Sequence, residues 1–578
     1  MKICLYVIRN KIEHMSKRLA ISVYVVSILF FGCFFIWPIW EIIRGGFFDY
    51  EHGFTLSYLR TVFQNPVYVE GLLNSFIMGI GSTVLGLFIA VPLAYVFNGY
   101  EFWGKRFFSG LVLLPIMLPP FVGANGVLQL LGTYGTFNTI LIKLGFMNPA
   151  QPFDWLGAFP MTSIIMMNAL SLYPILYLNI VASLANIDPA LSEAAENLGC
   201  KGFRKFWKIT FPLIRPGVFA GCTIVFIWAF TELGVPLMFN FNRMTSVHIY
   251  NGLKEIGGNP FPYALVAVMF ILSALFYLLG KGLFERNNYA MVAKASHGHV
   301  TKHPKFLGNL CCCSLFSGVT LVALAPHLTV VCFSLASDWY KSILPTSWTF
   351  DNYVAALGDS LTIPSIQNSL IYASFATIVS AILGVGIAFV IVRTKLPGRQ
   401  LLDTCSMMPL AVPGLVMAFG FVAMSQEGRV FACLNPVKNP TILLIISYAI
   451  RKLPFMVRSS VAGLQQIAPA YEEAAQNLGC SYMKAVRKIT LPLIAANLMA
   501  GAILVFSQAM LEVSDSLILA QKQAFYPITK AIYELLNLLG NGTFLSCALG
   551  VWAMTFLAVT IIGTSVLLGK SFGAIFKV

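Results

Sequence analysis

The chain has 578 residues, 58% of them hydrophobic and only 11% charged, with a mean hydropathy of +0.78. That composition excludes a globule dispersed in water and describes an integral membrane protein. The formal net charge of +15 is the basic excess expected of loops facing the cytoplasm and anionic lipid, so it does not mark a nucleic-acid-binding protein.

A spanning helix needs about 20 mostly apolar residues, and the sequence predicts twelve such runs in chain order: 19–43, 72–97, 110–131, 160–183, 216–240, 262–284, 307–335, 369–392, 401–425, 441–462, 493–519 and 543–568. Their long apolar stretches lack the alternation of a barrel strand. The first run is too long for a secretory leader and reads as a retained span. Of the 38 Lys and Arg residues, 25 fall on the side of the N-terminus, 10 on the opposite side and 3 within the tenth run. Both termini are therefore expected in the cytoplasm. The 12 cysteines follow no metal or disulfide spacing.

Residues 181–214 and 461–494 are identical at 19 of 34 positions. Asn74-Ser75 and Asn368-Ser369, and the pairs Pro115/Pro119 and Pro409/Pro413, repeat at an offset of 294, whereas the matched loops repeat at 280. The first copy thus carries extra sequence between its third and fourth spans. The fold class that follows is an all-α integral membrane protein of about 12 transmembrane helices, in two tandem six-helix repeats related by a pseudo-two-fold along the membrane normal. The first half is 1–284, the polar linker is 285–306 and the second half is 307–578. His297, His299 and His303 in the linker read as solvated residues, not metal ligands.

In the first matched loop, 188–212, Asp188 and Pro189 suit the start of a helix and Gly199 the left-handed residue past its end. A second short helix, from about Lys201 to Lys208, is expected to stop at Pro212. The second loop, 468–492, repeats the pattern. A loop lying on lipid headgroups would account for the basic residues, but not for Glu-Ala-Ala and Gly at one fixed spacing. Glu193, Ala194, Ala195, Gly199, Ile209 and Pro212, and again Glu473, Ala474, Ala475, Gly479, Ile489, Leu491 and Pro492, closely resemble the cytoplasmic signature of the permeases of type I ATP-binding-cassette importers. Phe211 stands where that signature has leucine.

The resemblance implies that each loop docks on a cytosolic ATPase and passes nucleotide-driven motion to the spans. It implies an ATPase dimer and an extracytoplasmic solute-binding protein as partners, in a bacterial inner membrane. Two signatures in one chain resemble the fused permeases of the ferric-iron group, whose relatives import phosphonates and sugar phosphates. ATP and Mg are expected on the partner ATPase, with no cofactor on this chain. Gly563 followed by Gly569-Lys570-Ser571 has the wrong spacing for a phosphate loop, and no zinc-ligand pattern or nucleophile elbow points to an enzyme.

Ionisable groups at membrane depth are costly and mark a pathway, a gate or an internal pairing. Here they are Glu232, Glu512 and Asp515, with Arg451 and Lys452 in the tenth run. The carboxylates suit a hard cation such as ferric iron, whereas the basic pair suits an organophosphate. Pairing between the halves is the structural alternative. An ion-coupled secondary transporter is the remaining rival.

Overall fold

The structure, a computed structural model, describes residues 20–49, 53–253, 259–284 and 302–567. His297, His299 and Gly569-Lys570-Ser571 lie outside these.

Among the described residues nine helices are long and apolar enough to cross a membrane: Ala20–Phe47, Pro66–Gly99, Pro160–Ala185, Gly202–Met238, Phe261–Leu279, Phe306–Ser334, Thr362–Arg393, Tyr482–Met510 and Gly542–Ile561. Two more spans are bent pairs, Lys105–Ile116 with Pro120–Lys143 at 92° and Arg399–Leu410 with Gly414–Met424 at 101°. Each bend falls at a repeated proline, Pro119 and Pro413, which has no N–H to continue the helix. The twelfth place is taken by Thr441–Gln466, which carries Arg451, Lys452 and Arg458.

The two halves interlock. The first span of each half packs on the bent span of the other, so that Pro38 lies against Gly420 and Pro326 against Gly126. Neither glycine could carry a side chain at these crossings without displacing the partner backbone. Each first span is followed by a small antiparallel ladder, Phe48–Asp49 with Gly53–Phe54 and Ala336–Asp338 with Ser347–Trp348. The extra sequence of the first half includes the helix Thr136–Lys143, and just before it Tyr134 meets Tyr340 of the second half at 5.3 Å.

Three local expectations change. Pro212 and Pro492 do not end a helix, because a wider π-helical turn at Phe206–Thr210 and Val486–Thr490 precedes each and carries the chain into the span. The i→i+5 bonds of that turn, Phe211 N–H to Phe206 O and Leu491 N–H to Val486 O, relieve the clash a proline makes with the preceding turn. Asn74 and Asn368, which the runs 72–97 and 369–392 put at the opening of the second and eighth spans, do not open helices. They lie within Pro66–Gly99 and Thr362–Arg393 and donate to the carbonyls of Arg243 and Tyr526. Lastly, the fifth and eleventh spans are not continuous: the helix breaks after Phe230 and Met510 and resumes at Gly234 and Ser514.

Candidate functional site

Four breaks in four spans meet at one place. A cavity of about 150 Å³ lies between the halves, lined by Leu118 and Pro120 at one bend, Val412 and Pro413 at the other, and Glu232 and Glu512 at the breaks of the fifth and eleventh spans. Irregular backbone at membrane depth is tolerated only where it is buried in protein or lines a cavity. Gly234 makes the convergence direct, because the space beside its Cα is bounded by Val513 of the other half.

Glu232 and Glu512 correspond at the offset of 280, but their surroundings differ. Glu232 caps the resumed helix Gly234–Met238, accepting from Gly234 N at 2.9 Å and Val235 N at 3.3 Å. Among the described residues it makes no ion pair. Glu512 takes Arg451 Nη1 at 2.5 Å on one oxygen and Lys452 Nζ at 2.7 Å on the other. Arg451 Nη1 also reaches Asp515 Oδ2 at 3.1 Å, and Ser447 donates to that same oxygen at 2.7 Å. Asp515 is fully buried. The first half has Ser171, Leu172 and Val235 where the second has Arg451, Lys452 and Asp515. The four-charge cluster is therefore built within one half and does not pair the halves. Two cations and two carboxylates cancel, which leaves Glu232 as the carboxyl on the cavity wall with no cation paired to it among the described residues.

The repeated loops take the shape their residues predict. Asp188 Oδ1 accepts from Ala190 N at 2.9 Å, and the helix Pro189–Asn197 ends at Gly199 with φ 78°. In the second copy Ala470–Asn477 ends at Gly479 with φ 83°. Cys200 N bonds Ala195 O and Gly199 N bonds Glu196 O, and Cys480 and Gly479 repeat both bonds, forming a Schellman motif in which only glycine sits without strain. Ala195 and Ala475 are buried, whereas Glu193, Ala194, Glu473 and Ala474 face outward and Ile209 and Ile489 are half-buried. Pro212 is half-buried and Pro492 exposed.

The residues that sequence reasoning passed over are Leu198 and Leu478. They stand 87% and 89% exposed at matching helix ends. Their signal was present, an apolar residue repeated in a polar loop, but only the fold shows that no described residue covers it.

The loops are anchored differently. In the second, buried Glu472 takes Arg393 Nε at 3.2 Å and Thr490 Oγ1 at 2.9 Å. In the first, Glu196 takes Lys205 Nζ at 2.7 Å and Lys302 Nζ, at the end of the linker, at 3.3 Å. Lys205, hydrogen-bonded to it, and Lys302 beside it hold the Glu196 carboxyl below the usual glutamate range.

The model of the binding-protein-dependent transport system inner membrane component matches residues 82–288 and again 380–565. The chain belongs to this family. The ferric transport system permease protein FbpB of Actinobacillus pleuropneumoniae is 28% identical over 79% of this chain and 64% of its own length, so the match leaves a third of that relative uncovered. A protein from Haemophilus influenzae, described as a putative ferric transport system permease FbpB, is 27% identical over 85% of this chain and 76% of its own length. The molybdenum transport permease ModB of the same organism is 29% identical over 39% of this chain and 94% of itself, so less than half of this chain matches almost all of that protein. The protein is thus a multi-pass inner-membrane permease of the binding-protein-dependent family, with two family units in one chain.

Proposed function

We propose that this permease carries ferric iron across the bacterial inner membrane, receiving it from an extracytoplasmic binding protein and moving it under the action of a separate ATPase dimer. The observation that carries the choice of solute is the charge balance of the central cavity. Arg451 and Lys452 are held on Glu512 and Asp515 and are not available to a phosphate ester, while Glu232 keeps a carboxyl at the cavity with no cation paired to it among the described residues. A hard cation prefers such oxygen. The names of the relatives point the same way.

The two loops, with Leu198 and Leu478 at their tips, are the contact for the ATPase, where ATP and Mg bind. The basic excess on their side of the membrane supports a cytoplasmic location for the loops and both termini, with the halves divided at the 285–306 linker. A secondary transporter would have no use for two exposed apolar tips at one fixed spacing.

Uptake in proteoliposomes holding the permease and its ATPase, supplied in turn with ferric-loaded and organophosphate-loaded binding proteins, tests this. ATP-dependent iron uptake is the expected result. Organophosphate uptake would replace the solute, and ion-driven uptake without the ATPase would overturn the importer.

A further inference from the structure

On the side opposite the repeated loops, the short helices Thr245–Gly252 and Ile528–Leu536 are corresponding elements. Asn74 donates to the carbonyl of Arg243 before the first, and Asn368 to that of Tyr526 before the second. Ser75 and Ser369 each accept a backbone N–H from the opening residue, Thr245 or Ile528. Ser246 Oγ then donates to the carbonyl of Glu232 at 2.7 Å, and Thr529 Oγ1 to that of Glu512 at 2.8 Å. Each helix is thus pinned to the break of its own span, where that span lines the central cavity.

The two helices meet at Lys530. Its ammonium lies 3.1 Å from the Tyr250 hydroxyl, in the other half, and 3.1 Å from Glu534 Oε1, one turn further along its own helix. Among the described residues this bond to Tyr250 is the hydrogen bond that joins the two helices. Tyr250 and Tyr533 occupy corresponding places, and the ring centres of both stand 5.6 Å from the ammonium, as does that of Tyr526. A group on a two-fold axis is equidistant from the residues that the axis exchanges. The tip of Lys530 meets that condition for the pseudo-two-fold, which runs down the pathway between the halves.

The Lys530 side chain is only 7% exposed. Burying an ammonium is costly, and the fold does not require one here, since the first half has Val247 at the corresponding place. The tyrosine rings attract the cation and Glu534 supplies the opposite charge. Tyr250 comes from one half, however, and the other members of the set from the second. Parting of the helices exchanges the Tyr250 hydroxyl for water, which hydrogen-bonds an ammonium about as well. Such a contact holds two surfaces together while they are dry and releases them once water enters.

We propose that Lys530 is the closing residue of the outer gate: seated between Tyr250 and Tyr533, it blocks the mouth above the cavity and latches one half to the other. This rests on the ATP-driven reading above. In that reading one body passes between a state with the outer mouth shut and a state with it open, and nucleotide-driven motion of the loops favours the second. Whatever makes the mouth easier to open therefore makes that motion easier too. Because Ser246 and Thr529 hold the carbonyls of Glu232 and Glu512, the parting helices draw the cavity wall with them.

The test is ATP hydrolysis by the assembled permease and ATPase in proteoliposomes without binding protein. Tyr250→Phe keeps the ring and deletes the latch bond, and Lys530→Met keeps the bulk and deletes the charge. Both are expected to raise this idling hydrolysis, Lys530→Met by about tenfold, the factor set by one hydrogen bond to a charged group, with little change in the unfolding midpoint of the complex. The double variant is expected to hydrolyse no faster than Lys530→Met, because the two changes act on one contact. Idling hydrolysis that stays at the unaltered rate in both single variants, or effects that simply multiply in the double one, overturns the latch. Tyr250→Phe, the milder change, decides alone if Lys530→Met fails to assemble. Uptake by the unaltered complex with loaded binding protein is measured alongside. If it needs the ATPase and the variants do not idle faster, the latch fails and the importer reading stands; if it proceeds without the ATPase, both fall.

Discussion

The guanidinium of Arg451 occupies the space that a side chain on Gly414 would fill. Gly414 opens the second arm of the ninth span just past its bend, and the missing Cβ lets the cation reach Glu512 and Asp515. The first half has Pro120 in place of Gly414 and Ser171 in place of Arg451. Gly414→Ala should force the guanidinium away from its carboxylates, at about 1–3 kcal/mol for overpacking. Thermal unfolding of the purified permease checks this, and an unchanged midpoint would refute the contact.

Arg451→Ser should destabilise far more, by about 3–5 kcal/mol, because it strands buried carboxylates. Arg451→Ser with Asp515→Val removes one cation and one carboxylate and leaves Lys452 paired with Glu512. That double variant is expected to unfold at a higher temperature than Arg451→Ser alone. The reverse order would mean that the cluster is not a closed set.

Glu232→Gln keeps an oxygen to accept from Gly234 and Val235 but removes the charge. Assembly with the ATPase should persist while iron uptake falls at least tenfold, a difference of about 1.4 kcal/mol in the barrier. Glu232→Ala loses the cap as well and should also lower stability by about 1 kcal/mol. Uptake that survives Glu232→Gln would remove this carboxylate from the pathway.

Leu198→Asp and Leu478→Asp should each weaken co-purification of the ATPase without altering membrane insertion, and the double change should abolish it. Gly199→Val places a branched residue at φ 78°, an outlier for such side chains, and should uncouple ATP hydrolysis from uptake. Normal coupling in these variants would place the ATPase contact elsewhere.

The tie between Glu196 and Lys302 is pH-dependent. A carboxyl held below its ordinary value of 4.5 contributes above that value and loses its contribution as pH falls through the lowered one. Hydrogen exchange at the Lys302 amide, which bonds Gly99 O at 3.0 Å, should quicken in that acid window after correction for intrinsic rates. Glu196→Gln should show the faster exchange already at pH 7.

The sequence by itself determined the membrane class, the two halves and the loops, because each rests on signals local in the chain. A run of apolar residues answers to the bilayer whatever its neighbours are, and Asp188, Gly199 and Gly479 set their own turns through nearby backbone groups. It could not determine which charges neutralise which. Arg451 and Lys452 read as an anion site and Glu512 as a cation site until the fold brought residues 61 and 64 positions apart into contact. Nor could it show that Asn74 and Asn368 hold the outer helices, or that four helix breaks enclose one cavity. Those depend on how spans pack across the pseudo-two-fold, and long-range packing leaves no fixed period in the sequence. Even the prolines had one reading in the chain and another in the fold: Pro212 ends a helix by its chemistry, unless a wider turn before it has already released the carbonyl it would strike.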